Sequence, residues 1–287
     1  MTRRSSRSLP RGFEVWKGPW HSLVDVLFPP RCQSCGRVTG KLTAGIFCET
    51  CTGEIQYLNP PLCPVCGAPH GAGEGGDRLC RDCLTTPKPF QIARSAAVYA
   101  GGLLQVIHRF KYHHHPELGA ALGQLLLDGT YAGLPWEDFT VLVPVPLHIR
   151  RLRERGFNQA LLMARTLSAR CGVPVDFLSL ERERDTPPQT RMGRRERREN
   201  IRGAFVVARR EMIRGQRVLL IDDVYTTGST LAECARVLLD SGAARVGVLT
   251  LARALPDGED APRAARESGT GTREGKTPLA KSPERDR

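Results

Sequence analysis

Between residues 94 and 253 the chain alternates short aliphatic, β-branched runs with stretches whose apolar positions recur every three or four residues. The short runs predict strands over 95–99, 140–145, 175–180, 205–208, 218–221 and 245–251. The longer stretches predict helices ending near Lys111, from about 116 to 131, over 157–171 and over 230–240. In the last, Leu231, Ala235 and Leu238 share a face and Gly242 suits the C-terminal cap. Strands alternating with helices imply an α/β fold: a mostly parallel sheet with helices on both faces. Past Pro256 the chain turns to Gly, Ser, Thr, Pro, Arg and Glu without periodicity, so 256–287 reads as a disordered tail. The expected division is an N-terminal segment 1–26, a cysteine-rich module 27–90, the α/β domain 91–255 and the tail.

Composition narrows the setting. Of 287 residues 40% are hydrophobic and 25% charged, as in a folded globular protein. No stretch approaches the ~20 apolar residues of a membrane-spanning helix. The basic start (Arg3, Arg4, Arg7) resembles a secretory leader, but the apolar patch 23–28 is broken by Asp25 and lacks a small-residue cleavage site. A cytoplasmic protein is expected. The 42 basic against 30 acidic residues leave a formal charge of +12, which favours nucleic acid, phosphorylated ligands or anionic surfaces as partners.

Eight of the ten cysteines form four CxxC pairs: Cys32/Cys35, Cys48/Cys51, Cys63/Cys66 and Cys80/Cys83. A repeat underlies them, since Pro-Pro-Arg-Cys32 is echoed by Pro-Pro-Leu-Cys63, and Gly36 and Gly67 follow the second cysteine of each knuckle. A reducing cytosol argues against disulfides. Two CxxC turns supply the four sulfurs of a closed tetrahedral zinc site, so two structural zinc ions are expected. The repeat groups Cys32, Cys35, Cys48 and Cys51 apart from Cys63, Cys66, Cys80 and Cys83. Spacing leaves cross-pairing open, because the 11 residues between Cys51 and Cys63 resemble the linkers within each repeat. Cys171 and Cys234 fall in helical patterns and read as core thiols.

The run Val218-Leu-Leu-Ile-Asp222-Asp223-Val-Tyr-Thr226-Thr227-Gly228-Ser229-Thr230 has three parts. A buried strand ends in two carboxylates, a hydroxyl-rich loop follows, and a helix begins. In α/β folds ligands bind at the carboxyl ends of parallel strands. Loop amides and hydroxyls, backed by a helix N-terminus, suit a phosphate monoester. The carboxylates repel phosphate and suit sugar hydroxyls and Mg²⁺ instead.

This run resembles the phosphoribosyl-pyrophosphate (PRPP) motif of type I phosphoribosyltransferases. The resemblance implies that Asp222 and Asp223 bind the ribose hydroxyls, with Mg²⁺, while Thr226, Thr227, Gly228, Ser229 and Thr230 enclose the 5′-phosphate. Val143-Pro-Val-Pro146 leads into a basic loop with Arg150, Arg151, Arg153 and Arg155, candidates for the pyrophosphate side. With Phe110-Lys111-Tyr112 and the stretch from Thr186 to Phe205, these segments resemble the ComF family of competence-associated proteins, over about residues 27–252. That family joins a double zinc ribbon to a type I phosphoribosyltransferase fold. The resemblance implies a role in natural transformation, handling single-stranded DNA, with competence-machinery proteins as further partners. Residues 182–202 carry eight arginines against four acids. Among them Arg191, Arg194, Arg195, Arg197 and Arg198 are candidates for DNA-backbone contacts. The alternative is an active phosphoribosyltransferase of nucleotide metabolism or salvage. No acceptor-recognition pattern is present, so neither the acceptor nor turnover follows from the sequence. His113, His114 and His115 read as a surface turn.

Overall fold

The computed structural model describes residues 29–43, 45–70, 76–129, 134–186 and 194–255. The expected N-terminal segment 1–26 and tail 256–287 lie outside these residues. The chain divides into two compact units, Met1–Glu54 and Ile55–Arg287. The division falls between the two cysteine repeats, inside the stretch 27–90 that the sequence groups as one module.

In the smaller unit, bridges Arg31↔Val38 and Thr43↔Phe47 frame the first knuckle, and helix α1 (Glu49–Gly53) starts at Cys48. The larger unit opens with the same device, a bridge Leu62↔Pro69 and helix α2 (Arg81–Thr85) starting at Cys80. The next elements are β1 (Ile92–Val98), α3 (Gly101–Tyr112), α4 (Leu118–Gly129) and β2 (Val141–Pro144). They continue with α5 (Ile149–Arg155), α6 (Gln159–Cys171), β3 (Leu180–Arg182) and α7 (Arg194–Ile201). The unit closes with β4 (Phe205–Val207), α8 (Arg210–Ile213), β5 (Arg217–Tyr225), α9 (Ser229–Asp240) and β6 (Arg245–Arg253).

Four strands form a parallel sheet in the order β1-β6-β5-β2, and β3 pairs antiparallel with β4 beside it. Helices α4 and α6 pack on each other and cover one face, and α9 covers the other together with β4 and α7. The expected α/β architecture with helices on both faces is present. Strand side chains alternate between these layers. Val141, Val143, Val218, Leu220, Val246 and Val248 join the α9-side core with Leu231, Cys234, Ala235 and Leu238. Phe110, Leu122, Met163 and Leu167 are fully buried, each stabilising the fold by about 2 kcal/mol.

Two expected elements differ. Of residues 175–180 only Val175 bridges to the sheet, at Leu142, and the strand proper is the short β3. The expected basic loop after β2 is the helix α5, capped by His148, whose Nδ1 accepts from the Arg150 amide at 3.4 Å. Edge strand β1 is also the seat of the second knuckle. The Ala93 amide donates to the Val65 carbonyl at 2.6 Å, and a side chain at Gly67 (φ +69°) would strike the Ala93 carbonyl oxygen. These contacts explain why the second repeat belongs to the same compact unit as the sheet.

Candidate functional site

The cysteines form two clusters, Cys32/Cys35/Cys48/Cys51 and Cys63/Cys66/Cys80/Cys83, each with its sulfurs within 4.8 Å of one another. Cross-pairing between repeats is thereby excluded. Sulfur–sulfur separations of 3.8 Å (Cys35–Cys48) and 3.5 Å (Cys66–Cys80) suit a tetrahedron, since ~2.3 Å Zn–S bonds set neighbouring sulfurs about 3.8 Å apart. Four soft sulfurs leave no open position, so the donor set fits structural zinc. Both knuckles close the same turn, Gly36 N–H to Cys32 O and Gly67 N–H to Cys63 O, each 2.9 Å. In the first cluster the Arg37 guanidinium beside Cys35 pulls its thiol down to about 6, favouring the thiolate a metal needs.

The sheet's second candidate lies where β5 meets α9. The strand does not stop at the acids: paired with β6, it continues to Tyr225, opposite Arg253. Successive strand residues face opposite sides, so the two carboxylates diverge. Asp223, buried, meets the Lys111 ammonium of α3 at 2.8 Å. Asp222 lies on the side where Cys234 of α9 and Arg182 of β3 feel its charge. Burial first, then the Asp223 charge, push the Asp222 carboxyl up to about 7, against the pull of Lys111. Oxygen donors of this kind fit Mg²⁺.

Gly228 heads α9 with φ +73°, a conformation costly for any other residue, and a side chain there would strike the Tyr225 ring and hydroxyl. Thr227 and Ser229 hydroxyls meet at 2.9 Å at the helix start, where the Ser229 amide donates to Thr227 Oγ1 at 3.4 Å. Thr227, Gly228 and Ser229 line a cleft of about 760 Å³, whose other walls include Pro87, Lys88 and Arg202.

The four arginines proposed for the pyrophosphate side share α5 and take different directions. Arg150 faces Asp185 at 3.4 Å and Arg151 donates to the Thr186 carbonyl at 2.9 Å. Arg153 is exposed. Arg155 lies 5.1 Å over the ring of Tyr112. Around Tyr112, which is 56% exposed, stand His108 at 4.6 Å ring to ring and His113, itself 6.0 Å from His108. His114 Nδ1 lies 3.2 Å from the Arg155 carbonyl oxygen. Of the arginines proposed for DNA, Arg191 lies outside the described residues. Arg194, Arg195, Arg197 and Arg198 lie on α7, their side chains outside the described part.

Lys111, Arg182 and Arg253 have no role in the sequence reading. Lys111 sits in a segment that carries the family resemblance, but only the fold brings it to Asp223.

A double zinc ribbon model matches residues 23–84 and a phosphoribosyl transferase domain model matches residues 157–270. The DNA utilization protein YhgH of Salmonella typhi is 36% identical over 233 residues, covering 79% of this chain and 98% of that protein. The chain belongs to the ComF family. The ComF-family relative of Bacillus subtilis, competence protein ComFC, is 30% identical over 213 residues, 72% of this chain and 83% of its own. The Escherichia coli K12 protein named DNA utilization protein YhgH is 37% identical over 215 residues, 73% of this chain and 91% of that one. The two matched models cover the cysteine clusters and the part of the sheet unit that holds the β5–α9 junction. Among the described residues no helix is long and apolar enough to cross a membrane.

Proposed function

We propose that the chain binds PRPP with Mg²⁺ at the β5–α9 junction and handles single-stranded DNA in natural transformation, in the cytoplasm with other competence proteins. The observation that carries the first part is the junction itself. A left-handed Gly228 at the head of α9 suits residues 226–230 to a phosphate, and the strand just before them carries two carboxylates suited to ribose hydroxyls and metal. Mg²⁺ bound with the ligand supplies neutralisation of the pyrophosphate charge. Asp222 then has to release its proton and Asp223 has to share Lys111. Arg150 and Arg151, engaged by Asp185 and the Thr186 carbonyl in the free protein, would turn to the pyrophosphate once it binds.

Support for the DNA part comes from the exposed Tyr112, His108 and His113 rings beside Arg155. Flat rings next to a guanidinium are what unpaired bases stack on, while cations follow the backbone.

A PRPP titration by calorimetry, with and without Mg²⁺, tests the first part, with pyrophosphate release measured alongside. Mg²⁺-dependent binding is expected, and no binding in either condition refutes the assignment. Steady pyrophosphate release in the presence of an acceptor identifies the alternative, an active transferase. For DNA, replacing Arg191, Arg194, Arg195, Arg197 and Arg198 by Gln should flatten the salt dependence of affinity by about 0.7 in log–log slope per lost phosphate contact. Tyr112→Ala should weaken binding without changing that slope. Slopes and affinities equal to the parent's place DNA elsewhere.

A further inference from the structure

The second cysteine cluster and the phosphate loop are joined through two buried side chains. Arg253 ends β6 and is 8% exposed. Its Nη1 donates to the Cys66 carbonyl at 2.8 Å and its Nη2 lies 3.6 Å from the Cys66 sulfur. The same guanidinium lies 4.1 Å over the ring of Tyr225, its neighbour across the β5–β6 ladder. Tyr225 is 3% exposed, and its ring and hydroxyl fill the space next to the Gly228 Cα where a side chain would otherwise go. A buried guanidinium is costly unless an anion or acceptors hold it. Here the holders are a carbonyl and a sulfur of a metal-binding turn. The turn is itself fastened to β1 through Ala93 and Val65, and Arg94 donates to the Pro64 carbonyl at 3.2 Å.

We infer that the second cysteine cluster, with its metal, sets the position of the phosphate loop, and that Arg253 is the positioning residue that carries this through Tyr225 to Gly228. The inference rests on the reading of residues 226–230 as a phosphate loop. The four sulfurs would hold an ion that fixes Cys66; Cys66 holds the guanidinium, which stacks on the phenol ring lying against Gly228. Losing the ion frees Cys66 from its three sulfur partners, and the stack on Tyr225 loses its anchor. Loop amides bind phosphate only when they converge, so a shift of about 1 Å is enough to cost affinity. The cluster would thereby make ligand binding depend on metal occupancy, although no cysteine touches the ligand.

The test uses the full zinc-loaded chain, with Arg253→Met, Cys63→Ser in the second cluster and Cys35→Ser in the first. Zinc content, hydrogen–deuterium exchange of peptides covering 225–231, and PRPP affinity with Mg²⁺ are measured well below each thermal midpoint. Arg253→Met is expected to keep two zinc ions, exchange faster at 226–231 with β2 unchanged, and bind PRPP about tenfold or more weakly. Cys63→Ser should lose one zinc and reproduce the faster loop exchange. Cys35→Ser should also lose one zinc, with loop exchange as in the parent. Should Arg253→Met not fold, Arg253→Lys, which keeps the charge without the flat contact, is read the same way. Parental exchange and affinity in the arginine variant overturn the inference, as does equal loop loosening in Cys35→Ser. A parent that binds no PRPP, with the loop still loosened by Arg253→Met, refutes the PRPP reading and leaves the coupling standing.

Discussion

Asp222→Asn should make the protein more stable and end its Mg²⁺-dependent PRPP binding. In the fold the Asp222 carboxyl is pushed from 3.8 up to about 7 by burial and by Asp223 beside it. The folded chain therefore holds this proton more tightly than the unfolded chain does. The stability that the protonated acid permits is complete below about pH 4 and is lost as pH rises through about 7. At about 1.4 kcal/mol per pH unit, the interval sets an upper bound of about 4 kcal/mol on the cost of the ionised side chain at pH 8. Water reaching the partly exposed carboxylate reduces it. Asparagine keeps the shape and never ionises. The stability gap between Asp222→Asn and the parent should thus widen by about 3 kcal/mol at most between pH 5 and pH 7 and stay level above. Urea unfolding followed by circular dichroism at each pH measures it. Both proteins carry the same cysteines, so the pH dependence of metal binding cancels in the difference. Parallel profiles from pH 5 to pH 8 would refute the raised carboxyl. Unchanged Mg²⁺-dependent affinity would refute its ligand role.

Lys111→Met removes the ammonium from buried Asp223 and should cost about 3 kcal/mol in chemical denaturation; a loss below about 1 kcal/mol would show the pair to be idle. Gly228→Ala forces a side chain into φ +73° and into Tyr225, and should cost about 1–3 kcal/mol and weaken PRPP binding at unchanged zinc content. Elemental analysis should find two zinc ions per chain, and Cys32→Ser should leave one, with the thermal transition of the sheet unit unaltered. One ion in the parent would mean that one cluster is not a zinc site.

What the sequence determines by itself is whatever rests on neighbours along the chain. The CxxCG turns close between residues four apart, as Gly36 on Cys32 and Gly67 on Cys63 show, so the knuckles and their repeat follow from spacing. The order of aliphatic run, acid pair, hydroxyls, glycine and helix likewise places the β5–α9 junction, because each part acts through its own backbone. The tertiary structure decides what depends on partners far along the chain. Strand β5 extends past its acids because β6 offers a hydrogen-bonding ladder as far as Arg253. Residues 175–180 remain mostly outside the sheet because their contact with β2 is a single bridge at Val175, closed by the Asp176 amide on the Leu142 carbonyl. The cysteine grouping, left open by similar linker lengths, is settled by which sulfurs converge. Lys111 meets Asp223, and Arg253 meets Cys66 from 187 residues away. Their side chains carry no local pattern that names a partner, and burial beside an opposite charge or a free acceptor selects it.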